Sequence, residues 1–322
     1  MKIKKILSAL LCLPLLLISS CSGGNNAEKK VAVVVKALDS DFWHSVKSGV
    51  DAAATEYNVN VTFWGPGSEE DYEAQNRLID NAVRDGADAI VLSAIDYEKN
   101  AEAAERAMQA GTRVITIDSD IDSDGVSMFI GTDNVEAGRK AAEAAINGFG
   151  DGRQINIGIV NYYKSTENGM QREKGFRDYL KDTENANIAV SVNVSSNTES
   201  VSEAVSALLN EHPEINVLVG FNEWMTLGIG YTIKQLGLSD KVYAVGFDTN
   251  SVCIGMLETG EIDTLIVQNP FAIGYLGVKN AAEVISGETV FGREFYTESV
   301  AVNKDNLFDA DIQKLVFEFD KY

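Results

Sequence analysis

The sequence predicts an α/β protein made of two lobes, each built on a doubly wound parallel sheet. Three observations support this fold class. The 322 residues have the length of about two domains of ~150 residues each. Short apolar runs alternate with segments of helical periodicity from residue 31 onwards, which is typical of parallel sheets with right-handed crossovers. A pattern of strand, polar residue, helix, strand and aspartate occurs twice, which indicates two similar lobes.

The first twenty residues are expected to be a signal peptide and not part of this fold. A cationic start, Met1-Lys2-Ile3-Lys4-Lys5, precedes an apolar run over residues 6–18. That run is too short for a stable transmembrane helix and has the length of a signal h-region. The segment Ile18-Ser19-Ser20-Cys21 resembles a bacterial lipoprotein signal, which implies cleavage before Cys21, acylation of Cys21 and a polar tether over residues 21–30. The alternative is an ordinary secretory signal in which Cys21 is incidental.

Charge and composition exclude several kinds of function. The formal net charge of −21 becomes −24 once the three lysines of residues 1–20 are removed. Such acidity disfavours nucleic acid, whose phosphates require Lys and Arg, and anionic membrane surfaces. His44 and His212 are the only histidines, and a lipidated Cys21 leaves Cys253 as the one free cysteine of the mature chain. We therefore expect no metal, no cofactor and no intramolecular disulfide.

The first half of the chain is predicted to contain strands covered on both faces, separated by helices. Continuous apolar runs predict the strands, and apolar residues three or four positions apart predict the helices. Ser68 and Asp71 have the spacing of a capping box, which predicts that a helix begins there. The predicted strands are residues 31–35, 59–64, 89–92 and 114–117, with helices over 42–57 and 98–110.

The second half repeats this order, with predicted strands at residues 155–160, 217–219, 243–246 and 264–267. Residues 86–93 and 111–118 correspond to 214–222 and 240–248. In each copy a polar residue, Ser93 or Asn222, follows one strand, and an aspartate, Asp118 or Asp248, follows the next. Because open α/β sheets bind ligands beyond the carboxyl ends of their strands, these residues predict a small-molecule site in a cleft between the lobes.

The side chains available in that cleft suit recognition of hydroxyl groups. Asp118 and Asp248 accept hydrogen bonds, and Arg172 offers a planar fork of donors. Phe42 and Trp43 present flat apolar faces that suit the C–H face of a sugar ring. Each residue also has an alternative structural role. Phe42 and Trp43 would then belong to the core, the aspartates would cap helices or close turns, and Arg172 would be solvated.

The chain from Val31 to about Val302 resembles the type I periplasmic sugar-binding proteins, especially the ribose- and galactose-binding branch. The similarity is spread over nearly the whole mature chain. Its motifs are Val34–Trp43, Val114–Asp118, Gly131–Asn134, Arg172-x-x-Gly175-Phe176, Asn222–Gly228, Val245–Asp248 and Gln268-Asn269-Pro270.

The resemblance implies two Rossmann-like lobes joined by a hinge of three crossing strands. The N-terminal lobe would contain residues 31–132 and 269–298, and the C-terminal lobe residues 133–268 and 299–322. Ligand contacts carried over from the family fall on Ser40, Phe42, Trp43, Ser93, Asp118, Ser119, Arg172, Ser196, Asn222, Asp248 and Gln268. The chain departs from the ribose-binding pattern after Asp118, where Ser119 stands in place of an arginine, and a calcium-binding loop is not evident.

The function implied is capture of a monosaccharide, a pentose, hexose or related polyol, without turnover. The protein would be an exported, lipid-anchored monomer that delivers its ligand to the permease of an ABC importer. One alternative keeps the binding but presents the ligand to a sensor kinase or chemoreceptor. A remote alternative is a glycoside-acting enzyme that uses Asp118 and Asp248 as an acid/base pair. The effector domain of a repressor is disfavoured by the export signal and by the lack of a basic helix-turn-helix.

Overall fold

A computed structural model describes residues 29–150, 152–288 and 292–317. The expected signal peptide and Cys21 lie outside these residues. The described residues form two six-stranded sheets with helices on both faces, which confirms the predicted fold class. In chain order the elements are β1 (Lys30–Val34), α1 (Asp41–Tyr57), β2 (Asn60–Trp64), α2 (Tyr72–Arg84), β3 (Ala89–Leu92), α3 (Ala101–Gln109), β4 (Arg113–Ile117), β5 (Phe129–Thr132), α4 (Asn134–Phe149), β6 (Ile155–Asn161), α5 (Glu167–Leu180), β7 (Ala186–Asn193), α6 (Thr198–Glu211), β8 (Val217–Gly220), α7 (Glu223–Leu236), β9 (Tyr243–Phe247), α8 (Ser251–Thr259), β10 (Thr264–Val267), α9 (Pro270–Ile285), β11 (Glu294–Thr297), β12 (Val300–Val302) and α10 (Ala310–Val316).

The two sheets have matching topologies. The strand order is β11-β5-β4-β3-β1-β2 in the first sheet and β12-β10-β9-β8-β6-β7 in the second. Every neighbouring pair is parallel except β10 with β12, which is antiparallel. The chain passes from one lobe to the other three times, between β5 and α4, between β10 and α9, and between β11 and β12. These crossings place the carboxyl ends of the two sets of central strands on either side of one cleft.

Close helix pairs support each lobe. A Cβ atom at Gly138 of α4 would overlap the backbone carbonyl of Arg172 in α5, and one at Gly175 of α5 would overlap the carbonyl of Val135. In the other lobe Gly49 and Gly274 allow α1 and α9 to approach in the same reciprocal way. Because a side chain at any of these positions would push the helices apart, the glycines allow α4 to pack closely on α5 and α1 on α9.

One helix begins later than the sequence predicted. Asp71, and not Ser68, is the N-cap of α2, because its carboxylate accepts a hydrogen bond from the Ala74 amide at 2.8 Å. The Ser68 hydroxyl instead donates to Glu70 Oε2 at 2.5 Å. Residues 68–70 therefore precede α2 as a loop, and this loop places Glu69 at the cleft.

The hydrophobic core lies on both faces of each sheet, as continuous apolar strands require. Cys253 is buried in the core of the second lobe, and burial raises the pKa of its thiol far above the ordinary value. A buried thiol of this kind behaves as a small apolar core residue. Among the described helices, none has the length and apolarity needed to cross a membrane.

Candidate functional site

A polar cavity lies between the carboxyl ends of the two sheets. Its volume is about 30 Å³, far below the ~300–1,000 Å³ of typical ligand sites. The cavity is small because polar side chains of the two lobes contact each other across it, so a monosaccharide would have to displace these contacts or separate the lobes. The lining residues are Lys36, Ser40, Phe42, Trp43, Glu69, Asp118, Tyr162, Asn168, Arg172, Asn222, Glu223, Trp224, Asp248 and Gln268.

Asp118 forms a buried ion pair with Lys36, which follows β1. The Lys36 Nζ atom lies 2.9 Å from Asp118 Oδ2, and both side chains are at most 5% exposed. The Ser93 hydroxyl donates to the same carboxylate oxygen at 2.9 Å, while Asn168 Nδ2 donates to Oδ1 at 3.0 Å. Because Asn168 belongs to α5 of the opposite lobe, the Asp118 carboxylate connects the two lobes.

Asp248 is held by a second network that begins at Arg172. The guanidinium of Arg172 is almost fully buried and donates to Asn134 Oδ1 at 2.9 Å, to the Phe221 carbonyl at 2.7 Å and to Gln268 Oε1 at 2.8 Å. Gln268 Nε2 in turn donates to Asp248 Oδ1 at 2.6 Å. Burial raises the pKa of Asp248 above its ordinary value, although the positive charge of Arg172 opposes this effect.

The two repeated aspartates share an unusual backbone conformation. Asp118 has φ of 58° and Asp248 has φ of 68°, both in the left-handed region that few residues other than glycine adopt. Asn58 is the one other non-glycine residue of the described chain with a positive φ. Because each aspartate directly follows the strand that carries it, the turn directs both carboxylates into the cavity. Strained residues of this kind concentrate at functional sites.

The aromatic residues at the start of α1 contribute to both core and cleft. Ser40 caps α1, since its hydroxyl accepts a hydrogen bond from the Trp43 amide at 3.4 Å. Ser40 also lines the cavity. The rings of Phe42 and Trp43 meet edge to face with centroids 4.9 Å apart, and both side chains are buried. The structural and the functional interpretations of Ser40, Phe42 and Trp43 are therefore compatible.

Three predicted site residues do not line the cavity. Ser93 lies behind Asp118 and supports its carboxylate. Ser119 is fully buried, and its hydroxyl has no hydrogen-bond partner among the described residues. The amide of Ser196 donates to Glu70 Oε1 at 2.8 Å, so the loop of Ser196 joins the second lobe to the loop before α2.

Two glutamates that the sequence analysis missed lie beside Phe42 and Trp43. Trp43 Nε1 donates to Glu69 Oε1 at 3.0 Å. The Phe42 amide donates to Glu223 Oε2 at 3.3 Å across the cleft, and Asn250 Nδ2 donates to Glu223 Oε1 at 2.6 Å. Burial raises the pKa of both carboxyls, that of Glu223 to about 7.

Other missed lining residues are Lys36, Tyr162, Asn168 and Trp224. Lys36 carried a usable signal, because it follows the first apolar run at the carboxyl end of β1, just as Ser93 follows β3 and Asp118 follows β4. Glu223 had a similar signal, because it comes directly after Asn222, which follows the carboxyl end of β8. Glu69 and Asn168 lie in a loop and in the first turn of a helix, so only the packed structure reveals them.

No group of three or more His, Cys, Asp and Glu side chains with the arrangement of a metal site occurs in the part of the chain that the structure describes. The lining residues instead offer hydrogen-bond donors, carboxylate and amide acceptors, and flat aromatic faces. That combination can bind a small polyhydroxylated molecule on all sides.

Comparison with known proteins defines the family. The family model described as a periplasmic binding protein domain matches residues 31–289, which is most of the chain. The chain therefore belongs to the periplasmic binding protein family, and its fold is that of the type I sugar-binding members.

The similar relatives are sugar-binding proteins. The D-ribose/D-allose-binding protein of Pseudomonas aeruginosa is 25% identical over 286 residues, covering 86% of this chain and 89% of that protein. The solute-binding protein of a carbohydrate transporter from Agrobacterium radiobacter, solved with D-arabinose, has a TM-score of 0.87 and 29% identity, and the match covers 91% of this chain and 100% of that one. An ABC transporter solute-binding protein from Agrobacterium vitis, solved with D-fucose, has a TM-score of 0.86 and 29% identity, covering 89% and 100% of the two chains.

Proposed function

We propose that this protein is an exported, lipid-anchored solute-binding protein that captures a monosaccharide between its lobes and delivers it to an ABC sugar importer. The observation that carries the proposal is the cleft itself, in which Asp118 and Asp248 occupy equivalent strand ends and face one cavity. Family membership, a relative named for ribose and allose, and similar structures solved with arabinose and fucose support a sugar as the ligand.

The polar groups of the cleft suit hydroxyl recognition. A sugar hydroxyl can donate to Asp118 or Asp248 and accept from Lys36 or Arg172, and hydrogen bonds with charged partners are about twice as strong as neutral ones. The buried faces of Phe42 and Trp43 would cover the apolar side of the ring. We also propose Ser40, Asn222 and Gln268 as contacts, with Ser93, Ser119 and Ser196 in supporting positions.

Binding without turnover is part of the proposal. Asp118 is paired with Lys36, and Asp248 accepts from Gln268, so both carboxylates are held by partners. A general acid needs a carboxyl that retains and then releases its proton beside the scissile bond. The Asp118 carboxylate, which is paired with Lys36 and accepts from Ser93 and Asn168, is better suited to accepting hydrogen bonds from a ligand than to acid/base work.

The remaining parts of the proposal concern location and organisation. Acylated Cys21 would tether the protein to the outer face of the cell membrane, with residues 1–20 removed. The lobes would consist of residues 31–132 with 269–298 and residues 133–268 with 299–322. We also propose that the protein acts as a monomer.

The experiment that tests the function is a thermal-shift screen of the purified protein against pentoses, hexoses and sugar alcohols. We expect a saturable rise in Tm with at least one monosaccharide and no release of product from aryl glycosides. A flat response across the panel would contradict sugar binding. Deletion of the partner permease should abolish uptake of the identified sugar, whereas unchanged uptake with loss of a sugar response would favour a receptor for a membrane sensor.

A further inference from the structure

The cavity between the lobes contains two more carboxylates than cationic side chains. Glu69, Asp118, Glu223 and Asp248 line it, whereas Lys36 and Arg172 are the only lysine or arginine side chains among the described lining residues. The imbalance lies inside the cleft and not on the solvated surface, where an acidic protein would ordinarily carry its charge. Burying a carboxylate away from water without a cationic partner is costly. A cationic group of the ligand could be that partner.

Both cations are already engaged. The Lys36 ammonium is held 2.9 Å from Asp118 Oδ2 and also donates to Asn168 Oδ1 at 3.2 Å. Arg172 is linked to Asp248 through Gln268, which accepts from the guanidinium and donates to the carboxylate. These two networks account for Asp118 and Asp248 and leave the other two carboxylates.

Glu69 and Glu223 receive hydrogen bonds from neutral donors alone. Trp43 Nε1 donates to Glu69, and the Phe42 amide and Asn250 Nδ2 donate to Glu223. Within the described ranges, neither carboxylate has a Lys, Arg or His nitrogen within 4.0 Å. Lys36 acts on Glu69 only from a greater distance.

We propose that the ligand is an amino sugar, whose protonated amine is held by Glu69 and Glu223. This inference rests on the proposed function and names the class of sugar. Glu69 accepts from the indole of Trp43 and Glu223 from the main-chain amide of Phe42, and both carboxylates line the same small cavity as these two aromatic residues. A neutral sugar leaves both carboxyls without a cationic partner, whereas an ammonium group supplies three donors and one positive charge.

The described groups around Glu223 supply no positive charge to its carboxylate. Asp41 at the start of α1 and Asp248 after β9 raise its pKa further, and the Cys253 thiol of α8 lies near enough for Glu223 to raise the pKa of that thiol. The groups that face Glu223 from these elements are therefore acids or neutral donors. With a pKa of about 7, Glu223 is partly protonated at neutral pH, and a cationic ligand would release that proton.

The test compares matched sugars by isothermal titration calorimetry on the purified protein. The probes are glucosamine, N-acetylglucosamine and glucose, with the corresponding galactose and mannose series. We expect at least one free amino sugar to bind about tenfold or more tightly than both its N-acetylated and its neutral counterparts. At pH 7 its binding enthalpy should depend on the ionisation enthalpy of the buffer, because protons are released.

Two variants assign the effect to the named residues. Glu69→Gln and Glu223→Gln keep the shape of the side chains and should each reduce the ratio of amino-sugar to neutral-sugar affinity about tenfold. Glu73→Gln, an exposed position on α2, should leave that ratio unchanged. If a neutral sugar binds as tightly as its amino counterpart, this inference is wrong and the proposed function stands. If no sugar of either kind binds, both are wrong.

Discussion

The Nζ atom of Lys36 lies 2.9 Å from Oδ2 of Asp118, and the pair joins the carboxyl ends of β1 and β4. Asn168 of the opposite lobe donates to the same carboxylate, so the ion pair also contributes to the contact between lobes. A buried pair of this kind holds its carboxylate in one position, and removal of either partner leaves an uncompensated charge in the cleft.

We therefore expect Lys36→Met to destabilise the protein. The substitution keeps the volume of the side chain but leaves the Asp118 carboxylate unpaired, which costs about 3–5 kcal/mol in unfolding free energy. Urea denaturation measures this loss. Lys47→Met is the matched control, because Lys47 pairs with Asp51 on the surface and such pairs contribute about 0–1 kcal/mol. Equal stability of the two variants would contradict the assigned role of Lys36.

The contact between α4 and α5 gives a second prediction. Gly175→Ala places a methyl group against the Val135 carbonyl and should cost about 1–3 kcal/mol, because α5 must move away from α4. Since α5 carries Arg172, the variant should also weaken ligand binding. Thermal and urea unfolding, with a binding titration, measure both effects.

Gly255→Ala is the control for that substitution. Gly255 also lies within a helix, but a Cβ atom there meets nothing within 4 Å. Alanine is favoured over glycine in a helix by about 1 kcal/mol, so this variant should be slightly more stable than the wild type. The change in unfolding free energy should have opposite signs in the two variants. A stabilised Gly175→Ala would show that α4 and α5 are not in close contact.

The carboxyl of Glu223 makes stability depend on pH. Its pKa rises from 4.5 to about 7 on folding, so the folded state binds more protons than the unfolded state between these values. This contribution to the unfolding free energy is fully present below about pH 4.5 and is lost as the pH rises through 7. A shift of this size corresponds to about 3 kcal/mol.

Glu223→Gln should therefore match the wild type near pH 5 and exceed it in stability near pH 8, since glutamine resembles the protonated acid. Urea titrations at the two pH values measure the difference. Burial also raises the pKa of Glu167 to about 7, so Glu167→Gln should likewise gain stability over the wild type near pH 8. Glu211→Gln, at an exposed position, serves as the control. A constant difference between Glu223→Gln and the wild type would refute the assignment.

Much of this fold could be predicted because periodicity is a local property. The apolar runs that became β1, β3, β4, β8, β9 and β10 are buried on both faces, and the repeat located Asp118 and Asp248 at equivalent strand ends. The start of α2 was misplaced because two residues, Ser68 and Asp71, could each cap a helix, and only the contacts of the loop decide between them.

Six of the fourteen lining residues were not predicted, and for Asn168 and Glu69 the sequence carries no signal, because their positions depend on how distant segments pack. Asn168 reaches Asp118 from the opposite lobe, and Phe42 donates to Glu223 across the cleft. The left-handed backbone of the two aspartates was also unforeseen, since aspartate carries only a weak preference for that conformation. Contacts between segments that are distant in the sequence can be identified only from the packed structure.

The central claim is that Asp118 and Asp248 together hold a sugar in the cleft. Isothermal titration calorimetry with the sugar identified by screening tests this claim most directly, on the wild type and on Asp118→Asn, Asp248→Asn and surface Asp51→Asn. Asparagine tolerates the left-handed backbone of both positions, so the substitutions remove charge and leave the turn in place. We expect one sugar bound per chain, a loss of affinity of roughly 10- to 100-fold in each cleft variant, and no change in Asp51→Asn. Wild-type affinity in both cleft variants would contradict the account.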